Sequence, residues 1–251
     1  DDESKLIAHQ REVCEDIVGE GAALLKNDGV LPLKAGTKFS CFSQSSVDPI
    51  YAGTGSASVS DEDSVSLNTA LTEAFGEGST NLDLVRFYTT SGYKRVNAAL
   101  SGGSPEQYRI NEVPWSKYGE ALKNTFKNYG DVALVVLARS GGEGADLPSG
   151  LESLKPYMTD GDYLRLCKEE VELLQNLKAM KEAGTFKNIV VLLNMANIMQ
   201  IDFVDKYDVD AVLWTGNVGA TGMSAVADIL RGNVVPSGRI VDTFLKDNHA
   251  S

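Results

Sequence analysis

The sequence predicts the α/β class: a doubly wound, mainly parallel sheet with helices on both faces, in a single domain over residues 1–251. Three observations carry this. Val132-Ala-Leu-Val-Val-Leu-Ala138 and Ile189-Val-Val-Leu-Leu193 are unbroken apolar runs rich in Val and Leu, the pattern of strands buried on both faces of a parallel sheet. Amphipathic helical patterns alternate with such runs along the chain, as in successive βαβ units. Glycine-rich loops follow the strands at the carboxyl ends, where open α/β sheets bind ligands.

Taken in order, residues 5–26 place Leu6, Val13, Ile17, Gly21 and Leu24 at helical steps, which predicts an amphipathic helix. Asn27-Asp-Gly29 ends it, and Val30-Leu-Pro-Leu33 runs extended because Pro32 blocks further helix. Residues 38–42 read as a first strand. Residues 43–66, rich in Ser, Gly and Asp, read as a long functional loop, since helical patterning resumes at once over 67–75. A short strand is expected at 81–85 and helices at 93–100 and 115–129. The strand at 132–138 and its glycine loop come next. A long amphipathic helix is predicted over 163–181, a strand at 189–193, a helical turn at 203–207, a strand at 211–214 and a helix at 219–230. The chain closes on a turn and a short extended segment at 240–244.

Composition narrows the function. Of 251 residues, 43% are hydrophobic and 23% charged, enough for a sizeable core. A formal charge of −12 argues against nucleic acid and anionic membrane surfaces as partners. With only His9 and His249 as imidazoles, a histidine metal site or a Ser-His-Asp triad has almost no raw material; no metal or cofactor is expected. Cys14, Cys41 and Cys167 are an odd number at wide spacing and read as buried free thiols. No window approaches the ~18 consecutive apolar residues of a membrane-spanning helix, and the acidic start is the reverse of a basic leader. A removed leader, or an anchor on a longer precursor, is compatible with this and leaves the compartment open.

Two loops carry candidate chemistry. Arg139-Ser-Gly-Gly-Glu-Gly-Ala-Asp146 follows the strand at 132–138 directly, and its glycines let the backbone turn sharply and bring one carboxylate, Glu143, into the crevice. Glu143 is the first catalytic candidate, with Arg139, Ser140 and Asp146 beside it. The competing reading makes Glu143 and Asp146 solvated loop acids. Tyr51-Ala-Gly-Thr-Gly-Ser-Ala-Ser58 offers hydroxyls at Thr54, Ser56 and Ser58, with Tyr51 to stack, for a polyol such as a sugar. It resembles a phosphate loop but lacks the Lys-Ser/Thr ending and the third glycine of a dinucleotide fingerprint. Gly216-Asn-Val-Gly-Ala-Thr-Gly222 reads as a tight β-to-α turn whose role is packing.

These pieces in order, namely Glu20-Gly-Ala-Ala-Leu-Leu-Lys-Asn-Asp-Gly-Val-Leu-Pro-Leu33, Gly53-Thr-Gly-Ser, Ser140-Gly-Gly-Glu-Gly-Ala-Asp146 and Ala227-Asp-Ile-Leu-Arg-Gly-Asn-Val-Val-Pro-Ser-Gly-Arg239, resemble the second, α/β-sandwich domain of glycoside hydrolase family 3. The resemblance spans about residues 8–246. It implies a six-stranded sandwich that packs against a (β/α)-barrel domain, with the active site of a β-glucosidase or β-xylosidase at the junction. It also implies that the barrel supplies the nucleophilic Asp and this domain the general acid/base, which carries onto Glu143. Tyr51, Thr54, Ser56, Arg139, Ser140 and Asp146 would then contact a carbohydrate substrate. Where many relatives read Pro-Gly-Gln-Glu-Gly-Gly, this chain has Gly216-Asn-Val-Gly-Ala-Thr-Gly222, so no role beyond packing follows there.

Eight β/α units need on the order of 200 residues, and the sandwich uses every segment, so no barrel is expected within residues 1–251. That implies a domain of a larger enzyme, or half of a nicked one, with the barrel before or after it. The rival from another class is a non-catalytic domain that binds carbohydrate or scaffolds; a weaker third, a nucleotide-binding domain, would seat phosphate at Gly53. An exposed apolar patch favours the first reading, because isolated domains rarely leave large apolar surface open.

Overall fold

The computed structural model describes residues 2–54, 58–59, 64–96, 105–142 and 144–250. In chain order the elements are α1 (Asp2–Gly21), β1 (Ala23–Asn27), β2 (Phe39–Phe42), α2 (Leu67–Phe75), α3 (Leu82–Thr90), α4 (Glu120–Lys123), β3 (Val132–Ala138), α5 (Lys168–Glu182), β4 (Asn188–Asn194), α6 (Phe203–Lys206), β5 (Ala211–Trp214) and α7 (Met223–Arg231). Among the described residues the sheet has five strands in the order β1-β5-β4-β3-β2. β2, β3, β4 and β5 run parallel, and β1 is antiparallel on the edge of β5.

Side chains alternate across the strands and divide the core into two layers. Val132, Leu134 and Val136 pack with Val18 of α1, Leu71 of α2 and Val226 of α7. Ala133, Val135 and Leu137 pack with Leu84 of α3, Leu174 of α5 and Phe203 of α6. All seven residues of β3 are buried, as the unbroken apolar run requires, and each fully buried Val or Leu contributes roughly 1.5–3 kcal/mol. A third cluster, with Tyr108, Leu154, Met158 and Tyr163, lies beneath the loop that follows β3. There Gly161 (φ 69°) passes so close to Leu151 that a Cβ would sit 2.0 Å from the Leu151 carbonyl oxygen.

Several expectations are corrected. The first helix ends at Gly21, and Ala23–Asn27 forms a strand that pairs with β5. Leu24 and Leu25 fit a helical stripe or a strand equally well, and the free edge of β5 decides. Nor does the apolar stripe of α1 face inward: Leu6, Val13 and Ile17 are exposed, Ile17 by 66%, while Val18 and Gly19 are buried. Asn27 then closes the turn, its Oδ1 accepting the N–H groups of Gly29, Val30 and Leu31.

The strand expected at 81–85 is helix α3. Asn81 accepts the Leu84 N–H as an N-cap, and Leu84 and Tyr88 bury one helical face. Only Thr80 keeps a bridge to Phe39, so the sheet has five strands among the described residues, not six.

Residues 115–129 break into two 3-10 turns around the four-residue α4. The long helix starts at Lys168, not 163, because the carbonyls of Tyr163 and Arg165 are taken by Arg139. The last helix starts at Met223. Residues 93–96 are not helical, and 97–100 lie outside the described residues.

Candidate functional site

Because β2 to β5 are parallel, the loops after them emerge along one edge of the sheet. They are tied to one another at Asn194, the last residue of β4. Its Oδ1 accepts the Ile50 N–H at 2.6 Å, and its Nδ2 donates to the carbonyls of Ile50 (3.0 Å) and Gly216 (2.8 Å). The Gly219 N–H donates to the Tyr51 carbonyl at 2.6 Å. One buried amide therefore fixes the loop after β2 against the loop after β5.

Two adjoining cavities open there, of about 340 Å³ and about 320 Å³, sharing Ile50, Ala52, Gly53 and Ser140. The first is walled by Asp48, Tyr51, Thr54, Ser58 and Arg95. The second is walled by Gly141, Gly142, Ala145, Asp146, Asn197 and Asn217. Each reaches the lower end of the range for small-molecule sites, ~300 Å³.

Tyr51, Thr54 and Ser140 come together at the first cavity, and Ser140 joins Asp146 at the second. The Tyr51 hydroxyl donates to the Val65 carbonyl at 3.3 Å. The Thr54 Oγ1 is buried and has no hydrogen-bond partner among the described residues. Ser140 is locked by Tyr163, whose hydroxyl accepts the Ser140 N–H at 2.8 Å and donates to the Ser140 carbonyl at 3.2 Å. Asp146 is exposed, and its carbonyl accepts from the Tyr108 hydroxyl at 2.9 Å. Ser56 and Glu143 lie outside the described residues. In the loop at 216–222, Asn217 lines the second cavity.

Arg139 borders the second cavity, but its guanidinium donors are spent within the fold. Its side chain is 0% exposed, and its donors go to the carbonyls of Ala138, Tyr163 and Arg165 and to both carboxylate oxygens of Glu170. That uses all five N–H groups of a guanidinium. Burial disfavours the charge, but the Glu170 carboxylate more than reverses this, and the net shift of the Arg139 pKa is upward.

Residues 22–251 match the family model of the glycosyl hydrolase family 3 C-terminal domain. The chain belongs to that family. Among curated relatives, the beta-glucosidase of Ruminococcus albus is 27% identical over 238 residues, covering 94% of this chain and 23% of that protein. Beta-glucosidase A of Butyrivibrio fibrisolvens is 28% identical over 244 residues, covering 90% and 27%. The chain thus spans about a quarter of the length of these relatives. The structure of beta-glucosidase 3B from Thermotoga neapolitana in complex with glucose superposes with a TM-score of 0.75 at 24% identity, over 96% of this chain and 32% of that one. At that identity the likeness bears on the fold.

The family 3 domain also carries polar residues at this edge that the sequence does not single out. Glu112 is fully buried beneath the loop after β2, its two oxygens accepting the N–H groups of Gln44 (2.8 Å) and Val113 (2.9 Å). Desolvation by burial raises its pKa to about 7, against the opposing pull of those N–H groups and the Ser43 hydroxyl; Glu170 adds to the rise. Its folded pKa lies above the unfolded value, so the native state binds the extra proton between about pH 4.5 and 7. Stability is therefore greater below that window and falls as pH rises through it. Urea midpoints at pH 5 and pH 7.5 are expected to differ by less in Glu112→Gln than in wild type. An undiminished difference would assign the slope to other groups.

Asn194→Ala strips the Ile50 N–H of its buried partner, while Val218 still donates to the Ile50 carbonyl and the Thr215 hydroxyl to the Gly216 carbonyl. An unpaired buried polar group costs roughly 1–3 kcal/mol, so a loss of about 1–3 kcal/mol is expected in denaturant unfolding. A loss below about 0.5 kcal/mol, the size of ordinary surface changes, would show that the loops hold without the amide.

Proposed function

We propose that this domain contributes the general acid/base, Glu143, and part of the sugar pocket to a retaining, exo-acting β-glycosidase that cleaves β-glucosides or β-xylosides. A (β/α)-barrel domain supplies the nucleophilic carboxylate. The observation that carries the reading is that Gly142 and Ala145, which bracket Glu143 and Gly144 in sequence, line the second cavity at the carboxyl end of β3. Family membership and relatives named beta-glucosidase support the reaction class. A partner domain is supported by α1, whose Leu6, Val13 and Ile17 form one exposed apolar stripe, the surface that a docked domain would cover.

In the retaining reaction one carboxylate attacks the anomeric carbon while a carboxylic acid ~5–5.5 Å away protonates the departing oxygen. That second group then deprotonates the water that frees the sugar. A carboxyl group held protonated near neutral pH by a neighbouring anion and partial burial can do both. Arg139 is consumed by Glu170 and leaves recognition to Thr54, Ser140 and their neighbours.

The test is reconstitution. This chain is mixed with the barrel domain of the same enzyme and assayed on an aryl β-glucoside, wild type against Glu143→Ala, with and without azide. Activity that needs both parts, falls in the variant and returns in part with azide is expected. Full activity in Glu143→Ala would make Glu143 a loop acid and place the proton donor elsewhere.

A further inference from the structure

The first cavity contains an ion pair that the acid/base chemistry does not use. The Arg95 side chain is 2% exposed, whereas the Asp48 side chain is 36% exposed, and Arg95 Nη2 stands 3.9 Å from Asp48 Oδ2. The Arg95 Nη1 donates instead to the Ser45 hydroxyl (3.0 Å) and to the Asp48 carbonyl (2.9 Å). Gln44 braces the arrangement from below: its Oε1 accepts the Arg95 N–H at 3.3 Å, and its Nε2 donates to Asp48 Oδ2 at 3.3 Å.

Elsewhere in the same molecule a structural pair has a different form. Arg139 and Glu170 close to 2.7 Å with side chains 0% and 1% exposed, the two-pronged geometry that satisfies both partners. Asp48 is instead kept short of its cation and turned to the cavity. Its Oδ2 has one long hydrogen bond, and its Oδ1 has none among the described residues. An ionised carboxylate offers about four acceptor sites, so most of its capacity faces a cavity walled by Tyr51, Thr54, Ser58 and Ser140. A carboxylate with this much open acceptor capacity, beside the Thr54 and Ser140 hydroxyls, suits a ligand with several hydroxyl donors.

Resting on the glycosidase reading above, we propose that Asp48, positioned by Arg95 and Gln44, accepts a hydrogen bond from one ring hydroxyl of the bound sugar and so sets which sugar the first cavity takes.

The test measures binding, which separates it from the acid/base assignment. Glucose and its 2-, 3-, 4- and 6-deoxy analogues are titrated by calorimetry into the enzyme assembled from this chain and its barrel, as wild type and as Asp48→Asn. A hydrogen bond to a charged group predicts that Asp48→Asn binds glucose roughly 10- to 100-fold more weakly. For one deoxy sugar, the one lacking the hydroxyl that meets Asp48, wild type and variant are expected to bind alike. A loss of equal size for every sugar, no loss, or no binding of glucose by the wild type overturns the proposal. Should Asp48→Asn fail to fold, the wild-type Asp48 carboxyl 13C resonance decides. It is expected to shift on saturation with glucose and not with the matching deoxy sugar; an unmoved resonance overturns the proposal. Absence of azide rescue in Glu143→Ala sinks the acid/base reading alone, since the deoxy-sugar pattern does not depend on it.

Discussion

On the proposed function, Glu143→Ala is expected to lower kcat/KM by roughly 10²- to 10⁴-fold for β-glucosides with alkyl leaving groups, the usual worth of a positioned general acid, and by far less for dinitrophenyl glucosides. The difference is chemical. An alkoxide is a poor leaving group and needs its proton as the glycosidic bond breaks, whereas a dinitrophenolate departs without one. For the activated substrate the variant should then stall at the second step, because water attacks the glycosyl-enzyme only when a base takes its proton. Azide is a nucleophile that needs no base, so it should restore turnover and give the β-glycosyl azide. The alkaline limb of the kcat/KM profile, which reports the acid in the free enzyme, should disappear with the side chain. An equal loss for good and poor leaving groups would mean that Glu143 positions substrate and does not transfer the proton.

The parallel centre of the sheet was legible because its strands are buried on both faces: β3 and β4 appear in the sequence as runs that no helix pattern interrupts. The edge strand β1 was not. Ala23–Asn27 has the burial pattern of a half-exposed edge, and only the unpaired side of β5 makes it a strand. At the expected strand 81–85 the local signals pointed the other way. Asn81 followed by apolar residues at helical spacing is an N-cap and a helix, and tertiary structure agrees.

The site was half legible for a related reason. Loop glycines after a buried strand mark a crevice, and Ser140, Gly142 and Asp146 do line one. What a single sequence does not reveal is long-range pairing. Asp48 and Arg95 meet from separate loops, and Asn194 joins residues 144 and 22 positions away. Arg139 left a readable trace that composition obscured. It keeps the parity of Val135 and Leu137, which face α5, so its side chain continues under the loop toward Glu170 in the first turn of that helix.

That inward turn gives the largest stability effect expected in this domain. Arg139→Met leaves the Glu170 carboxylate buried without its cation, and Glu170→Leu leaves the Arg139 guanidinium buried without its anion. Breaking a buried pair in this way costs about 3–5 kcal/mol, a large share of the ~5–15 kcal/mol by which such domains are stable. Each single variant should therefore unfold at markedly lower urea concentration. The double variant Arg139→Met/Glu170→Leu should lose less than the sum of the two, since no charge is then stranded. It should not return to wild type. Arg139 also donates to the carbonyls of Ala138, Tyr163 and Arg165, and Glu170 accepts the Cys167 N–H at the start of α5 at 2.9 Å. These partners stay unpaired in the double variant, and they anchor the loop whose residues line the second cavity. Additive losses in the cycle would show that the two side chains act separately, Arg139 as a clamp on backbone carbonyls and Glu170 as a helix cap, and that their contact contributes little.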